Sequence, residues 1–124
     1  MCGTRGIEGI GKMSKVFVVQ EQHTLDYSQA EEWGEVEFLT AREYKPLRRS
    51  LLNEEIHDEV RRKLEQNFNP KSDWLVLTGN PTMIGWAMIV AASVASSEDQ
   101  DTLGVLQFDK VRGGYRESYL RINT

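Results

Sequence analysis

The stretch "WLVLTGNPTMIGWAMIVAASVA", residues 74–95, limits the possible folds more than any other part of the chain. It carries no charged residue and is interrupted by Gly79, Asn80 and Pro81. A membrane-spanning helix needs about 20 continuous apolar residues, so the interruption argues against a span. The pattern instead predicts a buried strand before the break and a helix over 81–95. Asn80 suits an N-cap, Pro81 suits the first helical position, and Gly79 permits a tight reversal.

The remaining elements follow from the hydrophobic periodicity of the chain. Apolar and alternating runs predict five strands, at 16–20, 35–40, 74–78, 102–109 and 115–122. A second helix is predicted after Asn53, its expected N-cap, because apolar residues then recur at four-residue spacing. This stripe consists of Leu52, Ile56, Val60, Leu64 and Phe68. "SQAE" at 28–31 has the spacing of a capping box, and Gly34 is expected to end the short helical turn that follows.

These elements predict a single α/β domain over residues 15–124, with α+β as the alternative. The expected core is a mixed sheet of about five strands with two main helices. A right-handed βαβ unit is expected at 74–109, followed by a C-terminal hairpin. Residues 1–14 contain four glycines and are expected to be a disordered tail.

Composition narrows the chemistry. The chain has 124 residues, a net charge of −4 and one cysteine, Cys2, so an internal disulfide is excluded and a reducing compartment is expected. His23 and His57 with one distant cysteine make no standard zinc site, and His57 is predicted to be an exposed side chain. "GIEGIGKM" at 6–13 nearly matches a phosphate-binding loop, but no strand precedes it and Met13 replaces the required hydroxyl. No catalytic set, metal or cofactor is predicted.

Three surfaces are candidates for binding. The turn before the 81–95 helix could hold an anion through Gly79, Asn80 and Thr82, although helix capping explains the same residues. The C-terminal hairpin could bind single-stranded nucleic acid, since it combines cations and aromatic rings in Lys110, Arg112, Tyr115, Arg116, Tyr119 and Arg121. A second basic segment spans 42–49, yet residues 21–37 carry six acidic and no basic residues.

The uncharged helix supplies the third candidate surface. A helix that is apolar all round is expected to be buried all round. A second copy, another partner or a segment of the same chain could provide the cover. The candidate interface residues are Met83, Trp86, Ile89 and Val90.

Several of these motifs also occur together in one known group of proteins. A strand, then Gly79-Asn80-Pro81 with Ile84 and Gly85 opening an Ala-rich helix, then 105–109 and Tyr115 on a closing hairpin, resembles a family of short uncharacterised phage-encoded proteins. The resemblance implies a viral origin and no assigned chemistry. We therefore expect a non-catalytic phage accessory protein in the host cytoplasm. It would bind a host or viral macromolecule, as a homo-oligomer, and no membrane.

Overall fold

The computed structural model describes residues 14–42 and 51–122, with side chains of the first helix described from residue 53. The predicted tail and most of the 42–49 basic segment lie outside these residues. Five strands form one sheet: β1 (Lys15–Val18), β2 (Glu35–Phe38), β3 (Trp74–Val76), β4 (Thr102–Asp109) and β5 (Gly114–Arg121). Two α-helices, α1 (Leu51–Asn67) and α2 (Pro81–Ser97), and a 3-10 helix (Ser28–Trp33) connect them. The predicted five-stranded mixed sheet is thus confirmed.

The strand order is β2-β1-β3-β4-β5, and every neighbouring pair is parallel except β4 with β5. The connections leaving β1 and β2 therefore place later strands on opposite sides of β1. Such a change of direction creates a crevice at the carboxyl ends of the two strands where it occurs, here β1 and β3. The predicted unit over 74–109 is present as β3, α2 and β4, with its two strands parallel.

The core lies in two layers, one on each face of the sheet. On one face, the α1 stripe of Ile56, Val60, Leu64 and Phe68 is buried together with α2 residues such as Met83. On the other face, the 3-10 helix contributes Ala30 and covers only part of the sheet. Among the described residues, the remaining part of that face is open toward β5, where Tyr119 is exposed, while Trp74 on β3 is half-buried.

Two predicted helix starts were wrong. The first helix covers Leu51–Asn67, so Asn53 lies inside it and is buried. Leu51 and Leu52 are themselves good helix formers. Tyr27 occupies the N-cap position of the 3-10 helix, and no side chain caps that helix. Asp26 instead accepts a hydrogen bond from the Ser28 N–H (2.9 Å), which forms an Asx turn in place of the capping box. Gly34 follows the last residue of this helix, as predicted.

Candidate binding surface

The crevice at the carboxyl ends of β1 and β3 is filled by the side chain of Gln20. Its Oε1 accepts the Asn80 N–H at 2.7 Å, and its Nε2 donates to the Arg42 carbonyl at 2.7 Å. Gln20 is only 5% exposed, so both ends of the amide are satisfied inside the protein. In an open α/β sheet this is the usual ligand position, and here the chain itself occupies it.

Tyr27 and Thr78 close the crevice further. The Thr78 hydroxyl donates to the Gln20 carbonyl (3.0 Å), and the Tyr27 hydroxyl lies 3.5 Å from Thr78 Oγ1. Tyr27 also accepts the N–H of Gln22 at 2.8 Å. These bonds tie the loop after β1 to the loop after β3, so they fix the crevice in its filled state.

The three candidate anion-binding residues lie beside this side chain. Asn80 is the N-cap of α2, and its side chain accepts the Thr82 N–H at 2.8 Å. Gly79 has a φ of +113°, and a Cβ there would lie 2.4 Å from Gln20 Oε1. The structural role predicted for this turn is therefore present in full. Two of the amide groups that an anion would need, those of Asn80 and Thr82, already have acceptors within the chain.

The candidate nucleic-acid residues are divided between the two faces of the hairpin. Asp109 accepts a hydrogen bond from Arg116 Nη1 at 3.4 Å, and Arg112 Nε lies 4.0 Å from the same oxygen. Tyr115 is buried, and its hydroxyl donates to the Asp26 carbonyl at 3.5 Å. Burial, together with nearby Tyr27 and Asp26, raises the pKa of Tyr115. Lys110 is exposed at the hairpin tip.

Tyr119 and Arg121 lie elsewhere, on the open part of the sheet. Gly104 pairs with Tyr119, and Trp74 immediately precedes the Leu75–Val105 pair, so Trp74, Gly104 and Tyr119 form one row across three strands. We call this set the aromatic row. The rings of Trp74 and Tyr119 lie 5.3 Å apart at their centroids, tilted by 53°. Tyr119 is 64% exposed, which makes the row accessible from solvent.

Gly104 is what allows the two rings to meet. A Cβ at this position would lie 2.8 Å from Cε3 of the Trp74 ring, closer than carbon atoms can pack. The tryptophan ring therefore lies against the glycine backbone and comes close to Tyr119 on the neighbouring strand. A glycine inside an apolar strand often marks such a close approach.

Trp33 and Glu117 border the aromatic row. The Trp33 indole N–H donates to Glu117 Oε1 at 2.8 Å, which joins the end of the 3-10 helix to β5. Glu31, Glu32 and Glu35 are exposed near this helix end, so the border is acidic. A phosphate backbone would be repelled by this border, whereas a neutral or basic protein surface would not.

The four candidate interface residues on α2 point in different directions. Met83 and Val90 are buried, and Trp86 packs on α1, where its Nε1 donates to the His57 carbonyl at 2.9 Å. Ile89 is 65% exposed and shares its surface with Gly85 and other small residues. Within the described residues of a single chain, α2 is not covered on every side, and glycine, serine and threonine form much of its outer face. Cover of this face by a second copy or another partner stays a prediction.

His57 also differs from its prediction. It is half-buried rather than exposed, and its ring centroid lies 5.4 Å from that of Trp86. The contact between α1 and α2 explains this partial burial, since Trp86 lies against α1 beside His57.

Asp73 is a buried residue that lies just before β3, at the amino-terminal ends of β1 and β3. It accepts the backbone N–H groups of Lys15 (2.8 Å) and Asn69 (2.7 Å), and the Ser72 hydroxyl lies 3.3 Å away. Burial raises the pKa of this carboxyl, and the three hydrogen bonds oppose that shift. Its partners are those of a structural residue that holds the start of β1 against the start of β3.

Within residues 14–42 and 51–122, no group of three or more metal-ligating side chains comes together. No helix in the same residues has the length and apolarity needed to cross a membrane.

Only part of the aromatic row was predictable from the sequence. Tyr119 and Arg121 were among the candidates, whereas Trp33, Trp74, Gly104 and Glu117 were not. Gly104 stands alone inside an apolar strand, which is a recognisable sign of close backbone approach. Its partner could not be identified without the registers of β3, β4 and β5.

The fold and this surface define a small α/β protein with helices on both faces of the sheet, a filled ligand crevice and an open aromatic row. The chain belongs to the Phage Pam3 gp32-like protein family, whose model matches residues 14–122. The resemblance to short phage-encoded proteins is thereby confirmed. No curated protein and no solved structure matches the chain.

Proposed function

We propose that this protein is a non-catalytic phage accessory factor that binds a host or viral macromolecule through the aromatic row and acts as a homo-oligomer. The observation that carries the proposal is the pair formed by the half-buried Trp74 and the exposed Tyr119, whose rings approach each other beside Gly104. Aromatic side chains are enriched at protein interfaces because they bury a large area with few rotatable bonds.

The chemistry around the row favours a protein as the partner. Trp33 and Glu117 present a hydrogen-bonded, acidic border, and Arg121 is exposed on the same strand. Such a mixed polar rim around an aromatic centre is common in protein interfaces. Single-stranded nucleic acid is the alternative, since its bases also stack on exposed rings.

A differential capture experiment tests the proposal. Tagged wild type, Trp74→Leu and Ile89→Ser are incubated with lysate of infected host cells, and retained material is identified with and without nuclease. Trp74→Leu removes an indole from the row, whereas Ile89→Ser changes the exposed face of α2. Circular dichroism and thermal unfolding establish that both variants are folded.

We expect a protein retained by wild type and Ile89→Ser and lost with Trp74→Leu, insensitive to nuclease. Loss with Ile89→Ser alone would place the partner on α2 and overturn the proposed surface. Retention that disappears with nuclease and falls with salt would identify the nucleic-acid alternative instead, because phosphate contacts release counterions.

A further inference from the structure

β5 is an edge strand of unusual length for an unprotected edge. It has eight residues, its register with β4 is unbroken, and it ends the sheet formed by residues 14–42 and 51–122. It contains neither proline nor lysine, the residues that commonly prevent an edge from pairing with another strand. No strand in the described part of the chain pairs with its outer backbone groups, so one more strand can add there.

The side chains of this strand form a self-complementary pattern. Glu117 and Arg121 stand two residues before and after Tyr119, on the same face of the sheet. Neither charge forms an ion pair within the described part of the chain. They lie about 13 Å apart along the strand, too far to pair with each other. Glu117 uses Oε1 for Trp33, which leaves Oε2 as an acceptor.

We propose that β5 pairs antiparallel with β5 of a second copy, about a two-fold axis that passes between the two copies of Tyr119. Directly opposite residues in an antiparallel pair share a face. In a symmetric pair, one residue therefore lies opposite its own copy, and the two-fold axis passes between the two. With Tyr119 on the axis, each Glu117 faces the partner's Arg121. If Glu117 faced its own copy, two carboxylates would meet. If Ser118 faced its own copy, no glutamate would face an arginine of the partner strand.

This pairing makes the aromatic row continuous across the dimer. Tyr119 faces the partner's Tyr119, so the rings follow the order tryptophan, tyrosine, tyrosine, tryptophan on one sheet of ten strands. The pairing uses the edge of β5, and the open face of the sheet stays accessible to a macromolecule. The inference rests on the self-association in the proposed function and names the surface that produces it.

A charge exchange tests the register. The dimer dissociation constant is measured by sedimentation for wild type, Glu117→Arg, Arg121→Glu and the double variant. Each single variant should raise the dissociation constant by about tenfold or more, because two cross-strand pairs change from attraction to repulsion. The double variant should recover a constant close to that of wild type, since its charges are exchanged but still complementary.

Cysteine cross-linking tests the axis independently. In a Cys2→Ser background, Tyr119→Cys should form a disulfide-linked dimer on mild oxidation. Opposite Cα atoms in an antiparallel pair lie about 4.5–5.5 Å apart, within disulfide range. The control Arg116→Cys is exposed on the same strand, but its symmetry mate would lie about 20 Å away and should not cross-link.

The outcomes separate the two proposals. Recovery in the double variant together with cross-linking at 119 alone supports the β5 dimer. A wild type that is monomeric at every concentration overturns both this inference and the self-association in the proposed function. A dimer that ignores both charge variants, or that cross-links equally at 116, overturns the β5 pairing alone. Macromolecule capture through Trp74 is decided separately by its own variants.

Discussion

Replacing Gly104 with alanine tests whether Trp74 lies on the backbone of β4. The new Cβ would lie 2.8 Å from Cε3 and 2.9 Å from Cζ3 of the indole, so the ring must lift from the sheet. Overpacking of this kind costs about 1–3 kcal/mol. Alanine recovers about 0.5–1 kcal/mol relative to glycine in a strand, because it restricts the unfolded chain. We therefore expect Gly104→Ala to lower the free energy of unfolding by up to about 2.5 kcal/mol.

Gly85→Ala is the matched control. Gly85 lies within α2, and a Cβ there would meet no atom within 4 Å. The same substitution should therefore stabilise the protein, by about 0.5–1 kcal/mol. Equilibrium urea unfolding, followed by far-ultraviolet circular dichroism, measures both variants. Stabilisation by Gly104→Ala comparable to that by Gly85→Ala would refute the close approach of Trp74 and with it the geometry of the aromatic row.

Three further predictions concern the ends of the sheet. Asn80→Ala should cost about 0.5–2 kcal/mol in thermal or urea unfolding, whereas Asn80→Asp should keep the cap. No nucleotide should raise the melting temperature in a thermal-shift screen, because Gln20 already accepts the Asn80 N–H; a nucleotide that did so in wild type but not in Asn80→Asp would contradict this. Asp73→Asn should cost about 1–3 kcal/mol, since one backbone N–H loses its acceptor. Because the pKa of Asp73 is raised, the folded state binds the carboxyl proton more tightly than the unfolded state does. The difference in unfolding free energy between wild type and Asp73→Asn should therefore be largest below pH 3.8 and decline as pH rises through the raised pKa. A difference that grew with pH would contradict this prediction.

The elements of the fold were largely predictable because their signals are local. Asn80 caps α2 and Pro81 is its first residue, as predicted. Ile56, Val60, Leu64 and Phe68 of the predicted stripe are buried, and the side chain of Leu52 lies outside the described residues. The exceptions also have local causes. Asp26 outcompetes Ser28 as the acceptor at the start of the 3-10 helix, and Leu51 extends α1 beyond Asn53.

The candidate surface was only partly predictable because it depends on contacts between distant residues. Trp74 and Tyr119 are 45 positions apart and meet only because β3, β4 and β5 are neighbours in a fixed register. Gln20 fills the crevice through a bond to Asn80 that spans 60 positions. Apolar composition alone also does not say which side of α2 turns toward the sheet.

Hydrogen–deuterium exchange at increasing protein concentration tests most directly whether the chain self-associates through the edge of β5. The molecule contains its own control, because β2 is the other edge of the same sheet. We predict that amides of β5, Gly114–Arg121, become more protected as concentration rises, while those of β2, Glu35–Phe38, exchange at an unchanged rate. Unchanged exchange in β5, with new protection confined to α2, would contradict the account and assign association to the helix.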